Sequence, residues 1–357
     1  MNDATTCEMK MTIGLDVGDR HIQMCVLADD GETIEEGRIT CRPQALIARF
    51  GGMPAARIVL EAGTHSPWIS RILAELGHEV IVANPRRLRL IYENDSKSDR
   101  VDAQYLARLG RLDPALLSPL AHRDEQTQAD LAVIRSRDAL VRARTSLINH
   151  VRGSVKAVGG RIPGCSTRSF AKTATGRLPE ELAPALGPIL DSIADLTETI
   201  RAYDRAIERL CREVYPETAA IAQPSGIGNL TALAYVLTIG DPARFRRARS
   251  VGSYLGLRPR KAQSGKTDPQ LRITKAGDEM MRRLLVGSAQ YILGPFGPDT
   301  DLKRWGLAIA ERGGKTAKRR ATVAVARKLS VLLLRLWTTG EVCEPLRNSG
   351  GVDAVSA

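Results

Sequence analysis

The chain has 357 residues with 52 Lys and Arg against 40 Asp and Glu, a formal net charge of +12. That length predicts two or three domains with a sizeable core, and so basic a chain is expected to meet a polyanion, nucleic acid first. Six scattered cysteines (Cys7, Cys25, Cys41, Cys165, Cys211, Cys343) with no Cys-x-x-Cys and no nearby histidine pair argue against a zinc site or a disulfide framework and fit a reducing cytoplasm.

The N-terminal residues carry Asp3, Glu8 and Lys10 and lack an apolar signal core. The run Leu329–Leu334 is cut at Arg335, far short of a membrane span. A cytoplasmic protein with no membrane partner is therefore expected.

Met11-Thr12-Ile13-Gly14-Leu15-Asp16-Val17-Gly18 reads as an apolar strand ending in a carboxylate between glycines. A buried, unpaired charge is costly, so such an acid implies a use. Three uses fit this segment alone: a metal-binding aspartate of a ribonuclease-H-like core, the phosphate-side aspartate of an actin-like or sugar-kinase ATPase, and a plain turn. Strands follow at Ile22–Leu27 and Thr33–Thr40 around an Asp30-Gly31 hairpin turn. A helix near Pro43–Phe50 leads to the strand Arg57–Glu61, which again ends in an acid. Ser66-Pro67 reads as N-cap and first residue of a helix to Leu76, closed by Gly77. Glu79–Ala83 is a fifth strand, and Asn84-Pro85 starts another helix. Three antiparallel strands followed by strand–helix alternation is the order of a ribonuclease-H-like mixed sheet.

Ser96-Lys97-Ser98-Asp99-Arg100-Val101-Asp102-Ala103 opens a helix to about Leu112. Asp99 and Asp102 share a face there, which destabilises a helix unless a cation lies between them; capping by Asp99 explains one acid, not both. Residues 124–160 are helical and basic, and a Gly/Ser/Thr-rich basic connection spans 159–178. Leu186, Ile189, Ile193, Leu196, Ile200, Tyr203, Ile207, Leu210 and Val214 then alternate spacings of three and four. This heptad seam predicts a long helix packed as a coiled coil, in an intramolecular hairpin or as a dimerisation arm.

Gly226-Ile227-Gly228 between two helical stretches matches a helix-hairpin-helix turn, whose amides hold a DNA phosphate without reading sequence; a tight turn is the plainer alternative. Ten cations between 241 and 275, among them Arg258, Arg260, Lys261, Lys266, Arg272 and Lys275, face only Asp241 and Asp268, a density suited to phosphate neutralisation. Lys315, Lys318, Arg319 and Arg320 precede an apolar helix through Leu334, and the tail beyond Glu341 is expected to fray. Asp16 and Glu61 would face each other across adjacent strands, with Asp99 and Asp102 on a helix beside them. Four converging carboxylates call for hard divalent cations, Mg²⁺ or Mn²⁺, as a pair clamping a phosphate. No second Asp-x-Gly strand of the kind an actin-like ATPase needs follows.

Gly14-Leu15-Asp16-Val17-Gly18, Val59-Leu60-Glu61-Ala62 and Lys97-Ser98-Asp99-Arg100-Val101-Asp102-Ala103 resemble the DEDD motifs of an insertion-sequence transposase family, the one that includes the Piv DNA invertase and the bridge-RNA-guided recombinases. Pro224-Ser225-Gly226-Ile227-Gly228, Ile239–Phe245, Tyr254–Arg260, Ser264-Gly265-Lys266 and Ile273–Asp278 extend the resemblance over roughly residues 11–340. It implies α/β plus all-α architecture: a RuvC-like domain over 1–120, a helical coiled-coil segment over 121–218, a mainly helical transposase domain over 219–340 with helix-hairpin-helix and nucleophilic serine, and a tail from 341 to 357. It further implies that Asp16, Glu61, Asp99 and Asp102 bind Mg²⁺ (or Mn²⁺), and that Ser264 forms a covalent phosphoserine link to a DNA strand end. The implied partners are donor and target DNA, a non-coding bridge RNA and further copies of the chain, as dimer or tetramer, with an active site composed from both end domains. On its residues alone Ser264 reads as a turn serine before Gly265. Gly63-Thr64-His65 departs from the Thr-Gly-aromatic common after this glutamate, so His65 is given no role, and Ser98 replaces a common threonine. Two other functions stay open at this stage: a RuvC-like junction nuclease without a covalent intermediate, and a non-enzymatic DNA-binding protein.

Overall fold

Ile13 and Leu15 alternate with Gly14 and Asp16 along the first strand, and that alternation organises the N-terminal part of the molecule. The computed structural model describes residues 11–87, 98–265, 267, 269 and 271–347, and the chain divides into two units between Asp124 and Glu125. Cys7, the motif residues Ser96 and Lys97, Lys266 and the last ten residues lie outside the described ones.

The first unit is a five-stranded sheet in the order β3-β2-β1-β4-β5. Its strands are β1 (Met11–Val17), β2 (His21–Ala28), β3 (Thr33–Thr40), β4 (Arg57–Glu61) and β5 (Glu79–Ala83). β1 pairs antiparallel with β2 and parallel with β4, so the first and fourth strands are neighbours. On one face Ile13, Leu15, Ile58 and Leu60 pack on Leu46 and Phe50 of α1 (Pro43–Phe50) and on Ile69 and Leu73 of α2 (Ser66–Glu75). Burying each such side chain contributes about 1.5–3 kcal/mol, so this face fixes the register. On the other face Val59, Cys25 and Leu27 meet Ala103, Leu106 and Ala107 of α3 (Asp99–Leu112).

Two local expectations change. Ser66 does not cap α2: the N-cap is His65, and Ser66 is the first helical residue, fully buried, its hydroxyl donating to the Gly63 carbonyl at 2.8 Å and 2.9 Å from His122 Nε2. At Asn84-Pro85 the described residues form a single 3₁₀ turn, Pro85–Arg87, rather than an α-helical start.

The second unit is helical. α4 (Glu125–Ala157) and α6 (Ala183–Glu213) form an antiparallel pair joined through α5 (Phe170–Thr175): Ile148, Val151 and Val155 meet Leu186, Leu190 and Ile193 at one end, and Leu131 and Ile134 share a core with Ile207 and Cys211 at the other. The buried stripe of α6 is Leu186, Ile193, Ile200 and Ile207 with Leu190, Thr197 and Cys211. It is rotated from the seam read in the sequence, leaving Ile189, Leu196, Tyr203 and Leu210 half-buried and Val214 exposed past the helix end. The rotation follows from packing on α4, which also brings Arg144 to the Thr197 hydroxyl, together with α5 at one end and the core around Asn229–Ile239 at the other.

After the short α7 (Thr218–Ile221), α8 (Asn229–Ile239) is apolar all round and is buried from Thr231 to Ile239. A helix of that kind belongs at the centre of a core. The five-residue α9 (Ser250–Tyr254), α10 (Glu279–Leu293), α11 (Asp301–Ala310) and α12 (Gly314–Thr339) complete the unit, and the Tyr235 hydroxyl donates to the Ser330 carbonyl at 2.7 Å inside it. The start of the tail is tied down rather than frayed: Cys343 N donates to Gln223 Oε1 at 2.7 Å and Asp301 N to the Pro345 carbonyl at 2.8 Å.

Candidate active site and nucleic-acid interface

Leu15 of β1 stands opposite Leu60 of β4 in a parallel ladder. The next residues, Asp16 and Glu61, therefore lie side by side where both strands end, on the face away from α1 and α2. Together with Asp19, Thr64 and His65 they line a depression of about 430 Å³.

α3 lies across that same face, and Gly14 is what lets it. A Cβ at Gly14 would come within 2.0 Å of the Ala103 carbonyl oxygen and 2.5 Å of Ala107 N. Asp102, whose Oδ1 is buried, immediately precedes Ala103 at that crossing, with Asp99 exposed one turn earlier. Ser98 Oγ accepts from Val101 N at 3.4 Å, so serine caps the helix and Asp99 is its first residue. The positive end of the helix dipole favours both acids there. Arg100 and Gln104 both bond Glu36 on β3, which fixes the start of α3 and holds the Glu36 carboxyl below its usual range.

The donor set suits a hard divalent cation, since every candidate ligand is a carboxylate. Among the described residues, however, no three His, Cys, Asp or Glu side chains are gathered closely enough to enclose an ion by themselves. The four carboxylates thus do not form a ready-made cage. Two adjacent carboxylates meet the need of Mg²⁺, which keeps several waters and takes one or two carboxylates plus substrate phosphate oxygens.

His65, given no role in the sequence, sits on this rim. Trp68 Nε1 donates to its Nδ1 at 3.2 Å, which places the ring hydrogen of the neutral form on Nε2, 3.3 Å from Asp19 Oδ1. The signal was available: a tryptophan three residues on, across the first turn of a helix.

Ser264 lies in the second unit, near the end of an exposed two-limbed arm. Ser264 N donates to the Thr267 carbonyl at 3.1 Å and Thr267 N to the Ser264 carbonyl at 3.0 Å, with Gly265 at φ +55°. Lower down, Arg260 N bonds the Arg272 carbonyl and Thr274 N the Arg258 carbonyl, each at 2.9 Å. At the base the backbone crosses itself: Gly256 has φ +71°, and a Cβ there would fall 2.0 Å from the Ala276 carbonyl oxygen. Arg282 clamps the crossing from α10, donating to the carbonyls of Ala276 at 2.8 Å and Gly277 at 2.9 Å. The serine is therefore displayed on a short, pinned arm.

Arg258, Arg260, Lys261, Arg272 and Lys275 are all exposed on that arm, and none forms an ion pair among the described residues. Gly226 and Gly228 are exposed at the turn before α8; Gly226 has φ +87° and a Cβ on it would meet Tyr291 at 2.8 Å, while Gly228 has open space and caps α8. The helix before this turn is only the four-residue α7. Positive charge is concentrated in this unit: residues 125–357 hold 37 Lys and Arg against 22 Asp and Glu, whereas residues 1–124 hold 15 against 18. No helix among the described residues is long and apolar enough to cross a membrane.

Two family models match the chain. One, of the DEDD IS110 type and described as Transposase, covers residues 13–158, which include Asp16, Glu61, Asp99 and Asp102. The other, described as Transposase IS116/IS110/IS902 family, covers residues 219–300, which include the turn at Gly226 and the Ser264 arm. Similar proteins include the transposase for insertion sequence element IS1111A of Coxiella burnetii, 27% identical with 92% of this chain and 90% of the relative covered. A probable family 20 transposase of Pseudomonas aeruginosa is 28% identical over 85% of this chain and 91% of its own. The pilin gene-inverting protein of Moraxella bovis is 24% identical over 90% and 93%. With both halves matched in order and relatives aligned nearly end to end, the chain belongs to the IS116/IS110/IS902 family of transposases.

Proposed function

We propose that this transposase cuts and rejoins DNA strands through a covalent phosphoserine intermediate formed by Ser264, with Asp16, Glu61, Asp99 and Asp102 serving as the metal-binding set. The observation that carries the reading is the pairing of Asp16 and Glu61 at the ends of adjacent parallel strands, with α3 laid over them by Gly14. Asp16 and Glu61 would hold Mg²⁺, with Asp102 and Asp99 completing its surroundings; a bound ion polarises the phosphoryl oxygens and lowers the pKa of an attacking hydroxyl.

Ser264 Oγ attacks a DNA phosphodiester. One P–O bond to Oγ forms as one P–O bond to a sugar oxygen breaks, the serine proton passes to solvent, and the departing sugar oxygen is protonated. Attack by a second strand's hydroxyl reverses the step and returns Ser264. The number of diester bonds is conserved, so no oxidant and no nucleotide hydrolysis is required. Arg258, Arg260, Lys261 and Lys266 flank the serine in sequence and stabilise the added charge of the pentavalent phosphate; Arg272 and Lys275, with the amides of the Gly226–Gly228 turn, hold neighbouring phosphates. Target choice is assigned to a non-coding RNA of the element that pairs with donor and target DNA, the protein contributing charge and catalysis, and the α4–α6 segment to assembly of a dimer or tetramer.

The test uses the full chain with Mg²⁺, transcripts of the element's non-coding flank and DNA carrying its ends. Wild type should yield a DNA–protein adduct stable on a denaturing gel, and Ser264→Ala none, with strand exchange lost. Cleavage by Ser264→Ala without an adduct would establish the junction-nuclease alternative instead. Asp16→Asn with Asp102→Asn should abolish all DNA processing; retained processing rules out the carboxylate site.

A further inference from the structure

The end of the α4–α6 pair where Val155 meets Leu186 is strongly basic. From Ala139 to Pro179 the sequence holds eight Lys and Arg and no Asp or Glu. The fold gathers this stretch into one small body, where Val151, Val155, Ile162, Phe170 and Leu186 share a core. Arg152 builds its wall, donating to the Ile162 and Pro163 carbonyls at 3.4 Å with its guanidinium 5.1 Å from the Phe170 ring centre. Arg144 is 7% exposed and, among the described residues, bonds two hydroxyls, Thr197 at 3.2 Å and Thr167 at 3.3 Å. Burial, then Arg137 and Arg168, pushes its pKa down against the opposing pull of Asp204.

Beside Arg152 opens a cavity of about 610 Å³, lined also by Lys156, Gly159, Gly160, Arg161 and Ile162. Lys156 and Arg161 are exposed and pair with no carboxylate among the described residues. A cation in the last turn of α4 is favoured by the helix dipole, and that accounts for Lys156. It does not account for Arg161, Lys172 and Arg177 beyond the helix, nor for the missing acids. Arg142 pairs with Asp138 and Arg168 with Asp204, whereas Lys156 and Arg161 have no carboxylate partner among the described residues, and such like charges repel one another unless an anion is supplied.

We propose that this end of the α4–α6 pair binds the phosphodiester backbone of a nucleic acid, with Lys156 and Arg161 neutralising phosphates at the cavity shaped by Arg152. The assignment goes beyond strand exchange and uses none of its residues.

The test measures binding of the full chain to a mixed-sequence DNA duplex and to an RNA duplex of equal length, from about 50 to 200 mM salt. Each lost phosphate contact lowers the slope of log K against log salt by about 0.9, so Lys156→Ala with Arg161→Ala should flatten it by about 1.8. Across that range the variant should lose about tenfold less affinity than wild type. A change on one duplex only names DNA or RNA as the source of the backbone. Unchanged slopes on both, or no binding of either duplex by wild type, overturn the assignment, including in favour of an acidic protein partner. Should the double variant melt below wild type, Arg161→Gln in the connecting loop should still flatten the slope by about 0.9, and no change there is equally decisive. Ser264→Ala should keep the wild-type slope, so failure of this assignment and failure of the phosphoserine reading are separate results.

Discussion

Replacing Gly14 with alanine perturbs the one crossing on which the carboxylate arrangement depends. The new Cβ would lie 2.0 Å from the Ala103 carbonyl oxygen, where ordinary van der Waals contact begins at 3.4 Å. α3 must then retreat by about 1.4 Å at that level, the difference between those two distances, and carry Asp99 and Asp102 with it. Overpacking of this kind costs about 1–3 kcal/mol. At roughly 4 °C per kcal/mol for a unit of this size, melting should fall by about 4–12 °C. Displacing catalytic groups by about 1 Å costs on the order of 100-fold in rate, so strand exchange should fall far more than stability does. Calorimetry and the adduct gel read the two effects separately. Gly187→Ala serves as control, because nothing lies within 4 Å of a Cβ there. If Gly14→Ala melts lower yet exchanges strands within about twofold of wild type, the acids of α3 need not stand beside Asp16 and the four-carboxylate site is wrong.

Two further predictions concern charge. In EDTA, Asp16→Asn with Glu61→Gln should bind DNA more tightly than wild type, since each removed anion relieves about 1 kcal/mol of repulsion at 4 Å in water; added Mg²⁺ should then strengthen wild-type binding only, and equal strengthening of both proteins would show that these acids are not the ligands. Burial, then Arg71 and Arg123, hold the His122 imidazole below its ordinary value of 6.5. The unfolded chain therefore binds that proton more readily than the folded one, and the His122 contribution to stability is complete above that value and declines as pH falls below it. His122→Asn should melt with a weaker acid-side decline than wild type, and an identical pH profile would exclude this histidine as the cause.

Much of the first unit was legible because its signals are local. The strands at Met11–Val17, Thr33–Thr40, Arg57–Glu61 and Glu79–Ala83 announce themselves by apolar runs and turn residues, and the two strand-end acids stand out against them. What escaped depends on residues distant in sequence. Ser66 resembles a cap until His122, 56 residues on, is brought to its hydroxyl. The heptad seam of α6 was visible, but its rotation was not, because α4 with its Arg144, α5 and α8 together decide which face is buried. The arm bearing Ser264 shows no strand alternation. Its shape comes from a backbone crossing at Gly256 and a clamp by Arg282, both tertiary. The tail was expected to fray because nothing in its composition shows that Gln223 receives Cys343.

The division of charge gives the two units different tasks. With 18 acids against 15 bases, residues 1–124 do not by themselves attract DNA, and the paired acids at the strand ends repel the phosphate they are proposed to act on. Long-range attraction must come from residues 125–357, whose surplus of 15 cations exceeds the net charge of the whole chain. A divalent ion held at Asp16 and Glu61, as proposed, would reverse the local sign there, since a bound metal is the largest charge in such a site. On the proposed mechanism affinity and reactivity are thereby separable: salt would act on the first through the cations of the helical unit, and metal on the second through the carboxylates of the sheet. A single sheet unit carrying both would have to hold phosphate-binding cations beside the acids, where they would form ion pairs with the metal ligands and compete with the metal. With the acids at the ends of β1 and β4 and the exposed arginines on the Ser264 arm, the two kinds of charge are carried by separate elements, and on the proposed mechanism they meet only through the DNA phosphate.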